Sequence, residues 1–186
     1  MRFSRGVAAT AVLGAVAAGV AQSAPAQATE PSTGTGWHWV HEDSQPFVEG
    51  ELTYPASRYC GTFDLKASPV RQDIRSRVLS RWDNGTAKDT YYTGPLRVRV
   101  QNATTGKSRT VDMGGDAVES DDPSGAMRTY QMIGPVGFGM PIGTSSGLPS
   151  GVYVLDGYHV ARFDADGSRS LAVSIGKETN LCDLLR

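Results

Sequence analysis

Cysteine is nearly absent: the 186 residues contain only Cys60 and Cys182. That excludes a disulfide-dense mini-scaffold and any zinc site built from four thiolates. Histidine is scarce too, with His38, His41 and His159 as the whole supply, so a histidine-rich metal centre is excluded. No stretch of ten or more residues carries a helical apolar period, which argues against helix bundles and βαβ folds. Beyond the first 28 residues there is no long apolar run, and hence no second candidate for a spanning helix. Neither sign of charge dominates, with 18 Lys and Arg against 19 Asp and Glu. A uniformly basic surface for nucleic acid is therefore absent, and nucleic acid is not the expected partner in vivo.

What is present begins with MRFSRGVAATAVLGAVAAGVAQSAPAQA. Arg2 and Arg5 give a basic start, Gly6 to Ala21 a small apolar run, and Ala26 and Ala28 a small-residue cleavage pattern. Residues 1–28 thus read as a secretory signal peptide, because the run falls short of the ~20 strongly apolar residues of a spanning helix. The expectation is a secreted, extracellular protein with no integral membrane span after cleavage. Without Arg2 and Arg5 the remaining chain carries a charge of −3, from 16 basic and 19 acidic residues. In an oxidising exterior the two cysteines read as one disulfide, Cys60–Cys182. Closing a loop of about 120 residues is worth roughly 5 kcal/mol on the chain-entropy account.

Residues 29–46, TEPSTGTGWHWVHEDSQP, are polar and aperiodic and read as a flexible N-terminal arm; residues 47–186 read as a single β-domain. From Phe47 onward, short alternating runs are separated by turn signals. In LRVRVQ, Leu96, Val98 and Val100 share one face and Arg97, Arg99 and Gln101 the other. In IRSRVLSRW, Ile74, Ser76, Val78, Ser80 and Trp82 oppose Arg75, Arg77, Leu79 and Arg81, and LAVSI places Leu171, Val173 and Ile175 inward. Asn84-Gly85, Asp122-Pro123-Ser124-Gly125 and Asp166-Gly167 mark turns. The tail TNLCDLL suits a turn of helix capped by Thr179 or Asn180. The predicted fold is all-β, an antiparallel meander forming a flattened barrel or two-sheet sandwich, with a short C-terminal helical turn.

Four segments in fixed order carry a resemblance: YCGTFDL at 59–65, GPLRVRVQNATTGKS at 94–108, GVYVLDGYHVARFDADGS at 151–168 and NLCDLL at 180–185. Together they resemble a family of secreted actinobacterial all-β proteins of no established activity. The resemblance implies secretion and an all-β fold. It brings no catalytic residue with it.

Several motifs are decoys. Gly106-Lys107-Ser108 copies the end of a phosphate loop, but position 101 is Gln where that loop needs glycine, and RTVDM continues as a strand where a helix is needed. GTSSG, 143–147, fits a nucleophile elbow with Ser145, and Asp156 and His159 follow in suitable order; LPSG follows where a helix should start. His38 and His41 would oppose each other on a strand, so zinc is disfavoured. DADGS, 164–168, lacks the glycine and bidentate acid of a calcium loop, at Arg169 and Ile175. Asp116, Glu119, Asp121 and Asp122 read as a solvated acidic edge. No cofactor motif survives.

The remaining signal is basic. Between Arg71 and Arg109 lie nine basic residues against Asp73, Asp83 and Asp89. If the strands around 71–82 and 95–101 are neighbours, Arg75, Arg77, Arg81, Arg97 and Arg99 share one outward face, extended by Lys107 and Arg109. Such donors suit the phosphates or carboxylates of an anionic extracellular or cell-wall polymer. The opposing reading pairs them with acids such as Asp89 and Asp112. The function expected is non-enzymatic binding of such a polyanion. Alternatives are a barrel carrying a small apolar ligand among Tyr91, Tyr92, Tyr153, Tyr158 and Phe163, and a secreted hydrolase.

Overall fold

A computed structural model describes residues 36–186 apart from residue 144. The signal segment 1–28 and the start of the arm lie outside the described residues. Three short strands come first: β1 (Trp37–Trp39), β2 (Gln45–Phe47) and β3 (Leu52–Tyr54). A 3-10 turn at Ala56–Arg58 precedes Cys60.

The main body is a meander in which four of the long passes are interrupted midway. β4 (Leu65–Gln72) and β5 (Ile74–Trp82) are separated at Asp73, and β6 (Ala87–Thr93) and β7 (Leu96–Asn102) at Gly94-Pro95. β8 (Ser108–Asp112) and β9 (Asp116–Asp121) are separated at Met113–Gly115, and β10 (Met127–Ile133) and β11 (Val136–Met140) at Gly134-Pro135. The two-residue β12 (Ser145–Ser146), the long strands β13 (Gly151–Phe163) and β14 (Arg169–Asn180), and helix α1 (Leu181–Leu185) complete the chain.

The first three interruptions sort the half-strands into two sheets, while β10 and β11 both stay with β13 in one sheet. The ten-stranded sheet runs β1-β5-β6-β9-β10-β13-β14-β12, with β2 also on β5 and β11 also on β13; the four-stranded sheet runs β3-β4-β7-β8. Neither closes into a barrel, and the arrangement is that of a two-sheet sandwich. The break between β6 and β7 needs its glycine. Gly94 has φ of 124°, and a Cβ there would lie 2.2 Å from the Asp73 carbonyl oxygen of the facing break. The Asp73 N–H donates to the Pro95 carbonyl at 3.0 Å, so the two bends are tied together.

The inner faces supply two core clusters. One packs Phe63, Leu65, Val98 and Val100 against Val152, Leu181 and Leu185; the other joins Met132, Val136, Phe138, Met140, Leu155 and Ala161. Each fully buried leucine among them contributes about 1.5–3 kcal/mol relative to exposure. The Cys60–Cys182 disulfide, with Cα atoms 5.3 Å apart, lies in the first cluster and ties α1 to the chain entering β4. Asn180 caps α1, accepting from the Cys182 N–H at 2.9 Å.

Two expected alternations fail at bulges. A register shift between Val160 and Ala161 keeps Leu171 against the core but turns Ile175 outward, where it is 66% exposed. Ile175, Tyr158 and Ile133 then form one exposed cross-strand row on the outside of the ten-stranded sheet. In β5, shifts on both sides of Ser80 end the simple two-faced pattern, and Ser80 is fully buried.

Candidate functional site

The strand β7 keeps the predicted alternation: Leu96, Val98 and Val100 are buried while Arg97 and Arg99 are exposed. Residues directly opposite in a ladder share a face, so the neighbours of these arginines follow from the register. Arg97 stands between Arg71 of β4 and Asp112 of β8; Arg99 stands between Ser68 and Thr110. Lys66 is opposite Gln101 on the same outer face. Lys66, Arg71, Arg97 and Arg99 are all exposed. Among the described residues none of these four cations has a carboxylate within 4.0 Å. Asp112, the nearest acid by register, instead accepts the Gly114 N–H at 3.0 Å.

The other arginines are elsewhere, which corrects the expectation of one shared face. The bends at Asp73 and Gly94-Pro95 put β5 and β7 in different sheets, so Arg75, Arg77 and Arg81 do not join Arg97 and Arg99. Arg75 donates from Nε to the Ser44 hydroxyl and from Nη2 to the Ser44 carbonyl, at 3.1 and 2.7 Å. Arg81 grips both carboxylate oxygens of Glu42, at 2.6 and 3.1 Å, and donates to the Gly85 carbonyl. Its hydrogen bond holds the Glu42 carboxyl below the usual carboxylate range. Arg77, opposite Tyr91, is exposed and has no hydrogen-bond or ion-pair partner among the described residues. Lys107 donates to the Arg186 carbonyl at 2.5 Å, and Arg109 stands opposite the inward-facing Val100, off the outer face.

Thus the arm from Trp37 to Phe47 is docked, not free, because β1 and β2 pair with β5, and its Ser44 and Glu42 take up Arg75 and Arg81. Lys88 reinforces this. It lies over the Trp37 ring at 4.5 Å and bonds Asp89 at 2.7 Å. Asp89 also accepts from Ser80 and Ser120, each at 2.6 Å. Burial raises the Asp89 carboxyl, but the hydrogen bonds from Lys88, Ser120 and Ser80 outweigh it and hold it low.

The decoys are placed as follows. Gly106, with φ of 74°, closes the β7–β8 turn, donating to the Asn102 carbonyl at 2.9 Å. Asp164 and Asp166 cap the β13–β14 turn through Ser168. Ser145 opens β12, paired with Arg169, and a bend follows it, so no strand-to-helix elbow forms. His159 is fully buried, with Nδ1 3.0 Å from the Ser174 hydroxyl and opposite Met132. His38 lies 3.5 Å from Asp83 and His41 is exposed.

A second feature has a different lining from the expected one. Between the sheets, roofed by residues 47–54, is a cavity of about 180 Å³ lined by Phe47, Glu49, Tyr54, Tyr92, Glu119 and Tyr130, with Ala67, Pro69, Val98 and Val100 opposite. Of the five aromatic residues expected around a ligand, only Tyr92 lines it: Tyr158 points to solvent, and Tyr153 and Phe163 fill the second core cluster. Glu119 also leaves the solvated acidic edge. It faces inward opposite Tyr130, and burial followed by the neighbouring Asp121 carboxylate pushes its pKa up to about 7. Asp122, from the same acidic run, caps a turn, and the hydrogen bonds it accepts from the Ser124 hydroxyl and then from Arg128 hold its carboxyl low. Comparison with protein-family models, curated proteins and solved structures gave no match.

Proposed function

We propose that the protein is a secreted, non-enzymatic binding domain of the two-sheet all-β class that engages an anionic extracellular or cell-wall polymer. The contact is the outer face of the four-stranded sheet, through Lys66, Arg71, Arg97 and Arg99. The observation that carries this reading is the absence of acidic partners: the four cations share one face and none is within 4.0 Å of a carboxylate among the described residues. Placing Arg71 directly across from Arg97 disfavours the folded state, since like charges opposite one another repel. A polymer carrying phosphates or carboxylates relieves that repulsion through fork-shaped guanidinium contacts. Secretion rests on the signal-like residues 1–28 and is supported by the disulfide.

The test is retention on immobilised heparin and on teichoic acid over a salt series. Retention that falls steeply with salt is the expected result, because exposed charges are screened within about 10 Å at 0.1 M. Passage without retention at low salt would remove the reading.

A further inference from the structure

The cavity between the sheets differs chemically from the basic outer face. Its walls combine the aromatic rings of Phe47, Tyr54, Tyr92 and Tyr130 with two carboxylates, Glu49 and Glu119. Among the described residues no lysine, arginine or histidine lines it. Neither carboxylate has a basic partner within 4.0 Å among the described residues. Glu49 is anchored through its backbone, which exchanges two hydrogen bonds with the Gln72 side chain, at 2.8 and 3.2 Å. Both acids bear on one group, because Glu119 and Glu49 each raise the Tyr130 hydroxyl in addition to its burial. Phe47 and Tyr92 meet edge to face with centroids 5.2 Å apart, so the aromatic wall is preformed.

We infer that this cavity binds a small organic amine, its ammonium group facing Glu49 and Glu119 and its apolar body against Phe47, Tyr92, Tyr130 and the aliphatic inner face of β4 and β7. The reasoning is complementarity. Two carboxylates without a counter-ion favour a cation, and electron-rich ring faces attract an ammonium in the same place. Size limits the ligand: about 180 Å³ is below the ~300–1,000 Å³ of drug-sized sites, so the amine carries a single ring or a short alkyl body. The opposite sign of charge separates this site from the polyanion face, and neither reading depends on the other.

The groups facing Glu119 are Tyr92 from β6, Tyr130 from β10 and Asp121 on its own strand, with Glu49 from the roof. A carboxyl raised to about 7 is largely neutral in mild acid, so amine binding is expected to weaken from pH 8 to pH 5 while the amine stays protonated.

The experiment titrates the full secreted chain with benzylamine and with benzyl alcohol, its neutral counterpart, by calorimetry and amide chemical shifts. Benzylamine is expected to saturate and to shift the amides of Tyr92, Glu119 and Tyr130, binding about tenfold or more tighter than benzyl alcohol. Glu119→Gln and, separately, Glu49→Gln are each expected to weaken benzylamine binding while leaving heparin retention unchanged. Should Glu119→Gln melt before it can be titrated, Glu49→Gln, on the partly exposed roof, carries the test. Equal affinity for the amine and the alcohol, no saturable shift with either, or benzylamine binding indifferent to Glu49→Gln and to pH would overturn the inference.

Discussion

Arg75, Arg77 and Arg81 on β5 and Arg71, Arg97 and Arg99 on β4 and β7 come from one continuous basic stretch, yet they meet opposite fates. On the ten-stranded sheet two of the three arginines are occupied. Arg75 holds Ser44 and Arg81 holds Glu42, both from the arm, and the adjacent Lys88 is neutralised by Asp89. On the four-stranded sheet Asp112 stands opposite Arg97 in the ladder, yet among the described residues Lys66, Arg71, Arg97 and Arg99 have no carboxylate within 4.0 Å, and Arg71 even faces Arg97. The difference teaches that a basic run in sequence is no unit of function; what matters is which cations the fold leaves unpaired. Two bends, at Asp73 and Gly94-Pro95, make that division.

The most severe way to disturb the comparison is to remove the staple beneath the four-stranded sheet. The bond between Cys60 and Cys182 lies in the core cluster with Val98 and Val100, directly inside the arginine face. Replacing both cysteines by serine is expected to lower unfolding stability by about 2–5 kcal/mol, read by urea denaturation. Hydrogen exchange should show the amides of β4 and β7 losing protection first.

A smaller effect is expected on the paired side. Asp89 is 14% exposed and accepts from the fully buried Ser80 and from Ser120 and Lys88. Asp89→Ala leaves those donors unmatched and is expected to cost about 1–3 kcal/mol and to loosen β1 and β2, measured by melting and by proteolysis of the arm. The pH dependence has a definite sign. Because the folded state holds the Asp89 carboxyl low, its contribution is present above the ordinary carboxylate pKa and is lost as pH falls through the folded value. Asp89→Asn is expected to flatten that acid limb.

The smallest effect sharpens the contrast most. Arg71→Glu places an opposite charge across from Arg97 and is expected to raise stability by about 0.2–1 kcal/mol while weakening heparin retention. A stability gain coupled to a loss of binding marks a face kept unpaired for a partner. A loss of both would show that the repulsion is already relieved within the protein.

Much of this was legible in the sequence and some was not. The all-β class, a helix cap at Thr179 or Asn180, which the structure gives to Asn180, and the turn at Gly106 rest on local chemistry, such as alternation, positive φ and capping, while the disulfide follows from a single cysteine pair in an oxidising exterior. Alternation alone does not choose between barrel and sandwich, because that choice depends on the bends dividing the long passes. Alternation identifies only half of the arginine set. The alternation of β7 puts Arg97 and Arg99 on an outward face, but Lys66 and Arg71 enter only through the β4–β7 register, and Arg75 and Arg81 leave because β5 lies in the other sheet, where the arm docks onto it. The outward turn of Ile175 was hidden in the bulge between Val160 and Ala161, which alternation cannot foresee. The cavity acids escaped because Glu119 sits in an acidic run that looks solvated and Glu49 in a segment with no period.

One measurement bears most directly on the division between the two arginine sets: the salt concentration at which the full chain elutes from heparin, compared between Arg71→Ala/Arg97→Ala/Arg99→Ala and Arg75→Ala/Arg77→Ala/Arg81→Ala. Both variants lose the same formal charge, so net charge cannot separate them. The unpaired set is predicted to govern retention: the first variant passes through near physiological salt, and the second elutes close to the unaltered protein while its arm becomes easier to cleave. Equal elution of the two variants, or the reverse order, would contradict the assignment of the four-stranded sheet as the binding face.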